Sequence, residues 1–121
     1  VAGPDDAELR DRYLARIRRE LEEIRAASAS TADDRRPVEL DQQSVGRLSR
    51  MDAIERQAMA SAVERRRHGR VAALTAALAR LERGHFGWCD ECGEFIGERR
   101  LDLDPVVTLC VGCAGRAGSR R

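Results

Sequence analysis

The sequence predicts a mainly α protein, a long antiparallel helical hairpin followed by a small cysteine-bearing segment. Three observations predict it. Charged residues make up 36% and aromatic residues 3%, which suits long solvent-washed helices and not a compact sandwich or barrel. Two stretches repeat apolar residues at helical spacing, with a Ser-, Asp- and Pro-containing break between them. The last third is rich in glycine and holds all four cysteines. A chain of 121 residues allows one domain, or one small domain with an appendage. Burial is inefficient at this size, so an elongated shape or a staple is expected.

Residues 5–27 read as the first helix. Pro4 and Asp5 are start signals, and Asp6 and Glu8 put negative charge in the first turn, where the helix dipole favours it. Leu9, Tyr13, Ile17, Leu21 and Ile24 step by four, four, four and three, so they share one stripe. Arg10, Arg12, Glu20, Glu22 and Glu23 lie between them and suit a solvated face. So narrow a stripe needs one partner helix. Residues 26–48 then lose the period, with Ser28, Ser30, Asp33, Asp34 and Pro37 as loop residues. A connector of about 20 residues is longer than compact domains normally hold, so it is functional or contains a short helix.

Residues 50–83 read as a second, longer helix. Ser49-Arg50-Met51-Asp52 resembles a capping box, with Ser49 as N-cap and Asp52 at the third helical position. Val71, Leu74, Leu78 and Leu81 form a clean seam, continued less regularly by Ile54, Met59 and Val63. Gly69 interrupts the helix, at about 1 kcal/mol relative to Ala. The first helix is too short to cover the second, so the economical arrangement is an antiparallel hairpin with its tip near residues 38–52. The expected division is 1–84 for the hairpin and 85–121 for the cysteine segment.

The 22 positive residues are all arginine, against 21 acidic ones, for a net charge of +1. That balance excludes a strongly basic nucleic-acid coat and an acidic tail. No run of about 18 apolar residues exists, so no membrane span is expected. Residues 1–12 are acidic and polar, unlike a signal peptide. The start at Val1 leaves room for a missing residue or tag. A reducing cytoplasm is therefore expected, where disulfides are rare and the cysteines need another explanation.

They read Cys89-Asp90-Glu91-Cys92, 17 residues, then Cys110-Val111-Gly112-Cys113. Two C-x-x-C pairs at this separation match a four-cysteine zinc site. Each tight turn presents two sulfurs, and two turns supply the corners of a tetrahedron at Zn–S of about 2.3 Å. Gly93 follows the first pair, where a missing Cβ eases a positive φ. Four thiolates leave no open position, so the single zinc is structural and not catalytic. Two redox pairs, two disulfides, or a finger that loses zinc on oxidation are the alternatives. His85 and His68 are read as surface or packing residues, because four cysteines complete the shell. Phe86 and Trp88 are read as packing groups at the helix–finger junction. The fold class is completed as a coiled-coil hairpin followed by a small four-cysteine zinc finger with a short C-terminal segment.

The stretch from Leu81-Glu82-Arg83-Gly84-His85-Phe86-Gly87-Trp88-Cys89 to Cys92-Gly93-Glu94-Phe95-Ile96, with Arg99-Arg100-Leu101, Pro105 and Leu109-Cys110-Val111-Gly112-Cys113, resembles the DksA/TraR family of bacterial transcription factors. The resemblance covers residues 78–115; upstream it is one of architecture. It implies binding to RNA polymerase and insertion of a coiled-coil tip into the secondary channel, towards the catalytic magnesium. Acidic tip residues then alter initiation at particular promoters, and several members act with ppGpp. The family tip has two aspartates three apart, followed two residues on by an alanine. Counted back from the cysteines, the second aspartate falls on Ser49. Asp52 and Asp41 are the acidic candidates, with Glu39 beside them. A basic residue precedes the finger's proline in ppGpp-responsive members; Asp104 stands there and would repel the anion. Arg65, Arg66, Arg67 and Arg70 are candidates for an acidic polymerase surface at the channel rim, against ordinary coiled-coil surface charge.

The leading expectation is a monomeric, cytoplasmic regulator that binds RNA polymerase, carries one zinc and reads no DNA sequence directly. A zinc ribbon binding nucleic acid is disfavoured by the finger's acids, Asp90, Glu91, Glu94, Glu98, Asp102 and Asp104. An enzyme is disfavoured because no triad, phosphate loop or open metal site is found. A redox-sensing zinc switch stays open.

Overall fold

The computed structural model describes residues 4–37 and 46–119. Four helices account for most of them: α1 (Asp6–Ser30), α2 (Arg47–Arg83), α3 (Glu98–Leu103) and α4 (Val111–Ser119). A short 3₁₀ turn occupies Ala32–Arg35, and Trp88 and Phe95 form an isolated antiparallel bridge. The fold is mainly α, as the apolar periodicity predicts. The start of α1 meets the end of α2, since Asp6 lies against Gly84, while Thr31 after α1 bonds Arg67 in the body of α2. This inverse pairing is antiparallel.

The helix bounds differ from the sequence reading for identifiable reasons. Asp5 Oδ1 accepts the Glu8 amide at 2.8 Å, so Asp5, read as a start signal, caps the helix from just outside it. α1 runs on to Ser30 and not 27. The Ser30 and Thr31 hydroxyls both donate to the Ala27 carbonyl and satisfy the last turn. α2 starts at Arg47, one turn ahead of the Ser49 cap. The Gly46 carbonyl accepts the Arg50 amide at 3.0 Å, and glycine is a permitted N-cap. Ser49 therefore sits inside the helix, and the capping box is not formed. Gly69 does not interrupt α2 either; it is exposed and the helix continues through it.

The chain divides into two compact units. One comprises Val1–Leu21 and Ala72–Arg121. Its core is made by Leu9, Tyr13, Ile17 and Leu21 of α1, Leu74, Ala77 and Leu81 of α2, and Phe86, Ile96 and Leu101 beyond. Ala77 takes the buried place expected of Leu78, which is only half-buried. The rings of Tyr13 and Phe86 lie 5.2 Å apart. α2 ends at Gly84, whose φ of 76° closes a Schellman turn in which the His85 amide donates to the Arg80 carbonyl. A Cβ there would come within 2.6 Å of Asp6 Oδ2.

The other unit is Glu22–Val71. Among its described residues the buried side chain is Glu64, and Ile54 and Met59 of the expected seam are exposed. Glu64 Oε2 lies 2.9 Å from Arg35 and 3.3 Å from Arg67, and Oε1 lies 3.3 Å from His68 Nε2. The Ser28 hydroxyl, then Arg67 and Arg35, hold its carboxyl below the usual range. The 3₁₀ turn is thereby tied to α2 through Arg35.

Candidate metal centre

Two turns build the cysteine site. In the first, the Cys89 amide donates to the Glu94 carbonyl, and the Gly93 amide donates back to the Cys89 carbonyl. Gly93 adopts a φ of 74°, as its place after the pair predicts. In the second, α4 begins at Val111, and the Cys113 amide points at Cys110 Sγ from 3.4 Å. The Asp90 amide joins the two turns by donating to the Thr108 carbonyl at 2.8 Å.

The four sulfurs of Cys89, Cys92, Cys110 and Cys113 all lie within 4.8 Å of one another. Cys92 and Cys110 are 3.8 Å apart. A tetrahedron with Zn–S of about 2.3 Å has edges of about 3.8 Å, so the donor set fits the ion. The surroundings favour the thiolate at two of the four sulfurs, Cys89 and Cys110, and raise the other two, Cys92 and Cys113. The backbone amide of Cys92, then that of Cys110, pulls the Cys89 thiol down to about 6. The Cys113 amide lowers Cys110 likewise. The hydrogen bond to Cys110, then burial, pushes the Cys113 thiol up to about 12. Arg116, one turn along α4, donates to Cys113 Sγ at 3.0 Å. Its i+3 spacing from Cys113 was the available signal, and the sequence reading passed over it.

A polar joint holds α3 of the finger to α1. Tyr13 donates to Asp102 Oδ1 at 2.7 Å, and Arg12 pairs with Asp102 at 2.9 Å and with Glu98 at 3.2 Å. Burial, then the bond to Asp102, pushes the Tyr13 phenol up to about 12. Gly87, with φ 87°, allows close approach, since a Cβ would lie 3.1 Å from the Phe95 ring. Trp88 packs on Phe95 at 5.4 Å, in the packing role expected of it. Both histidines lie outside the sulfur cluster and are exposed.

The other candidates are dispersed. Asp41 and Glu39 fall outside the described residues. Ser49 and Asp52 are exposed on α2. Arg65 and Arg66 are exposed, Arg70 is half-buried, and Arg67 is engaged with Thr31 and Glu64. Asp104 Oδ1 accepts the Val106 amide, so it shapes the turn at Pro105.

Helices carrying a C-terminal four-sulfur knuckle define the class, a small C4 zinc finger on a helical support. Residues 84–117 match the prokaryotic dksA/traR C4-type zinc finger family, and this segment is a finger of that family. The RNA polymerase-binding transcription factor DksA of Haemophilus influenzae is 48% identical over 40 residues, 33% of this chain and 28% of that one. DksA of Escherichia coli is 44% identical over 36 residues, 30% of this chain and 24% of that one. The chain thus matches about a quarter of the length of these curated relatives. The structure of transcription factor DksA2 from Pseudomonas aeruginosa superposes with a TM-score of 0.71 and 29% identity, covering 95% of this chain and 84% of that one. Among the described residues no helix is long and apolar enough to cross a membrane.

Proposed function

We propose that this protein binds RNA polymerase and regulates transcription initiation from the secondary channel. The observation that carries the reading is the extent of the DksA2 likeness, which covers 95% of the chain and so reaches far beyond the finger. Residues 1–84 serve as the helical arm and residues 85–121 as the finger. Cys89, Cys92, Cys110 and Cys113 hold one structural zinc, which supplies the fold of the knuckle and no chemistry on substrate. The tip near residues 38–52 offers Asp41 and Asp52, with Ser49 beside them, to the polymerase metal site, where fixed acidic charge perturbs a cation. Arg65, Arg66, Arg67 and Arg70 meet the rim. The protein acts as a cytoplasmic monomer without reading DNA sequence. Asp104 disfavours ppGpp at the finger.

The test is transcription from a ribosomal promoter by purified polymerase, with and without ppGpp. The protein changes initiation, and Asp52→Asn weakens the change while polymerase binding is kept. An initiation rate that the wild-type chain leaves unaltered under both conditions would overturn the reading.

A further inference from the structure

The two knuckles of the finger finish differently. In the first, the Glu94 amide, two residues past Cys92, donates to the Cys92 sulfur. The Cys110 amide donates to Cys89 Sγ and the Cys113 amide to Cys110 Sγ, both at 3.4 Å. Cys113 cannot be served as Cys92 is. The chain past it continues as α4, so the Gly115 amide, two residues on, is used along the helix. The Ala114 amide is committed too, to the Cys110 carbonyl at 2.9 Å. Cys113 is also completely buried, which keeps water from it. Its donor is instead a side chain: Arg116 Nη2 donates to Cys113 Sγ at 3.0 Å. The guanidinium lies along Gly112, where a Cβ would stand 4.0 Å from Nη1.

We infer that Arg116 is a positioning residue for the metal, supplying Cys113 with a charged donor in place of the amide that α4 withdraws. The inference rests on the zinc assignment above and adds a residue outside the four ligands. Four thiolates around a divalent cation carry two net negative charges. Asp90, Glu91 and Glu94 of the first knuckle bring like charge close in sequence to Cys89 and Cys92. A hydrogen bond from a guanidinium to a thiolate is charge-assisted, and stronger than one from a neutral amide. Without it, a buried thiolate would lack its donor, which is costly. The bond therefore steadies Cys113 as a ligand and slows departure of the ion.

The experiment is release of zinc from the full zinc-loaded chain into excess chelator. It compares wild type, Arg116→Lys, Arg116→Gln and, as a charge-matched control, Arg99→Gln on the exposed side of α3. Arg116 is exposed, so helicity should match wild type in every variant. Arg116→Gln releases zinc about tenfold faster, the effect expected when the hydrogen-bond partner of a metal ligand is lost. Arg116→Lys restores part of the loss, because the charge is kept. Arg99→Gln releases zinc at the wild-type rate. On the cobalt-loaded chain the sulfur-to-cobalt charge-transfer band moves in Arg116→Gln, which a change in helix packing alone would not produce. If Arg116→Gln holds zinc as long as wild type and the band stays, the inference is overturned while the metal site stands. Equal acceleration in Arg99→Gln would overturn it in favour of net charge. If wild type takes up neither metal, the zinc assignment fails and the inference with it.

Discussion

Each of the two units is held by its own means, and the means are opposite. Val1–Leu21 with Ala72–Arg121 closes on a core of aliphatic and aromatic side chains beside a four-sulfur cluster. In Glu22–Val71 the buried side chain among the described residues is a carboxylate, Glu64, gripped by Arg35, Arg67 and His68. Apolar burial gives a non-directional stability that salt scarcely touches. An ion cluster gives a local joint sensitive to charge, at the low end of local stability.

The largest break in the comparison is metal loss. Cys110→Ser should lose zinc and unfold the knuckle, since structural zinc supplies on the order of 10 kcal/mol to such small folds. Metal analysis and the fluorescence of Trp88, the single tryptophan, report it. Stoichiometric zinc in that variant would remove Cys110 from the site. Next comes Phe86→Ala, which empties a fully buried site against Tyr13 and should cost about 3–4 kcal/mol in chemical denaturation.

The pH responses of the two units are also opposite. Tyr13 has a raised phenol, so its contribution is whole below pH about 10 and fades as pH climbs towards about 12. It is the single tyrosine, so phenolate absorbance reads it directly, and titration near pH 10 would contradict the buried bond to Asp102. Glu64 has a lowered carboxyl, so its contribution is present above its ordinary value of 4.5 and is lost as pH falls through the depressed one. Glu64→Gln should accordingly speed amide exchange over residues 28–36 and leave Leu74 and Leu81 protected. Equal exchange in both proteins would show that the ion cluster holds nothing. The smallest effect sharpens the contrast from the other side. Gly69→Ala should stabilise α2 by about 1 kcal/mol, because its Cβ would meet nothing within 4 Å.

Much of the finger unit was legible because its determinants are local. The stripe Leu9, Tyr13, Ile17 and Leu21 states its face by period alone, and the cysteine pairs state their geometry by spacing. The start of α2 was not legible, because Gly46 and Ser49 are both acceptable caps and the bond from the Arg50 amide to the Gly46 carbonyl decides between them. α4 was hidden by Gly112, Gly115 and Gly118, which lower helix propensity; Cys110 and Cys113 hold its first turn instead. The Arg35–Glu64 pair and the Tyr13–Asp102 bond join residues 29 and 89 positions apart, which no periodicity displays.

The most direct measurement is saturable binding of the full zinc-loaded chain to core RNA polymerase in solution. The account predicts a one-to-one complex that competes for the secondary channel. A folded chain with its zinc in place that shows no binding at micromolar polymerase would contradict it.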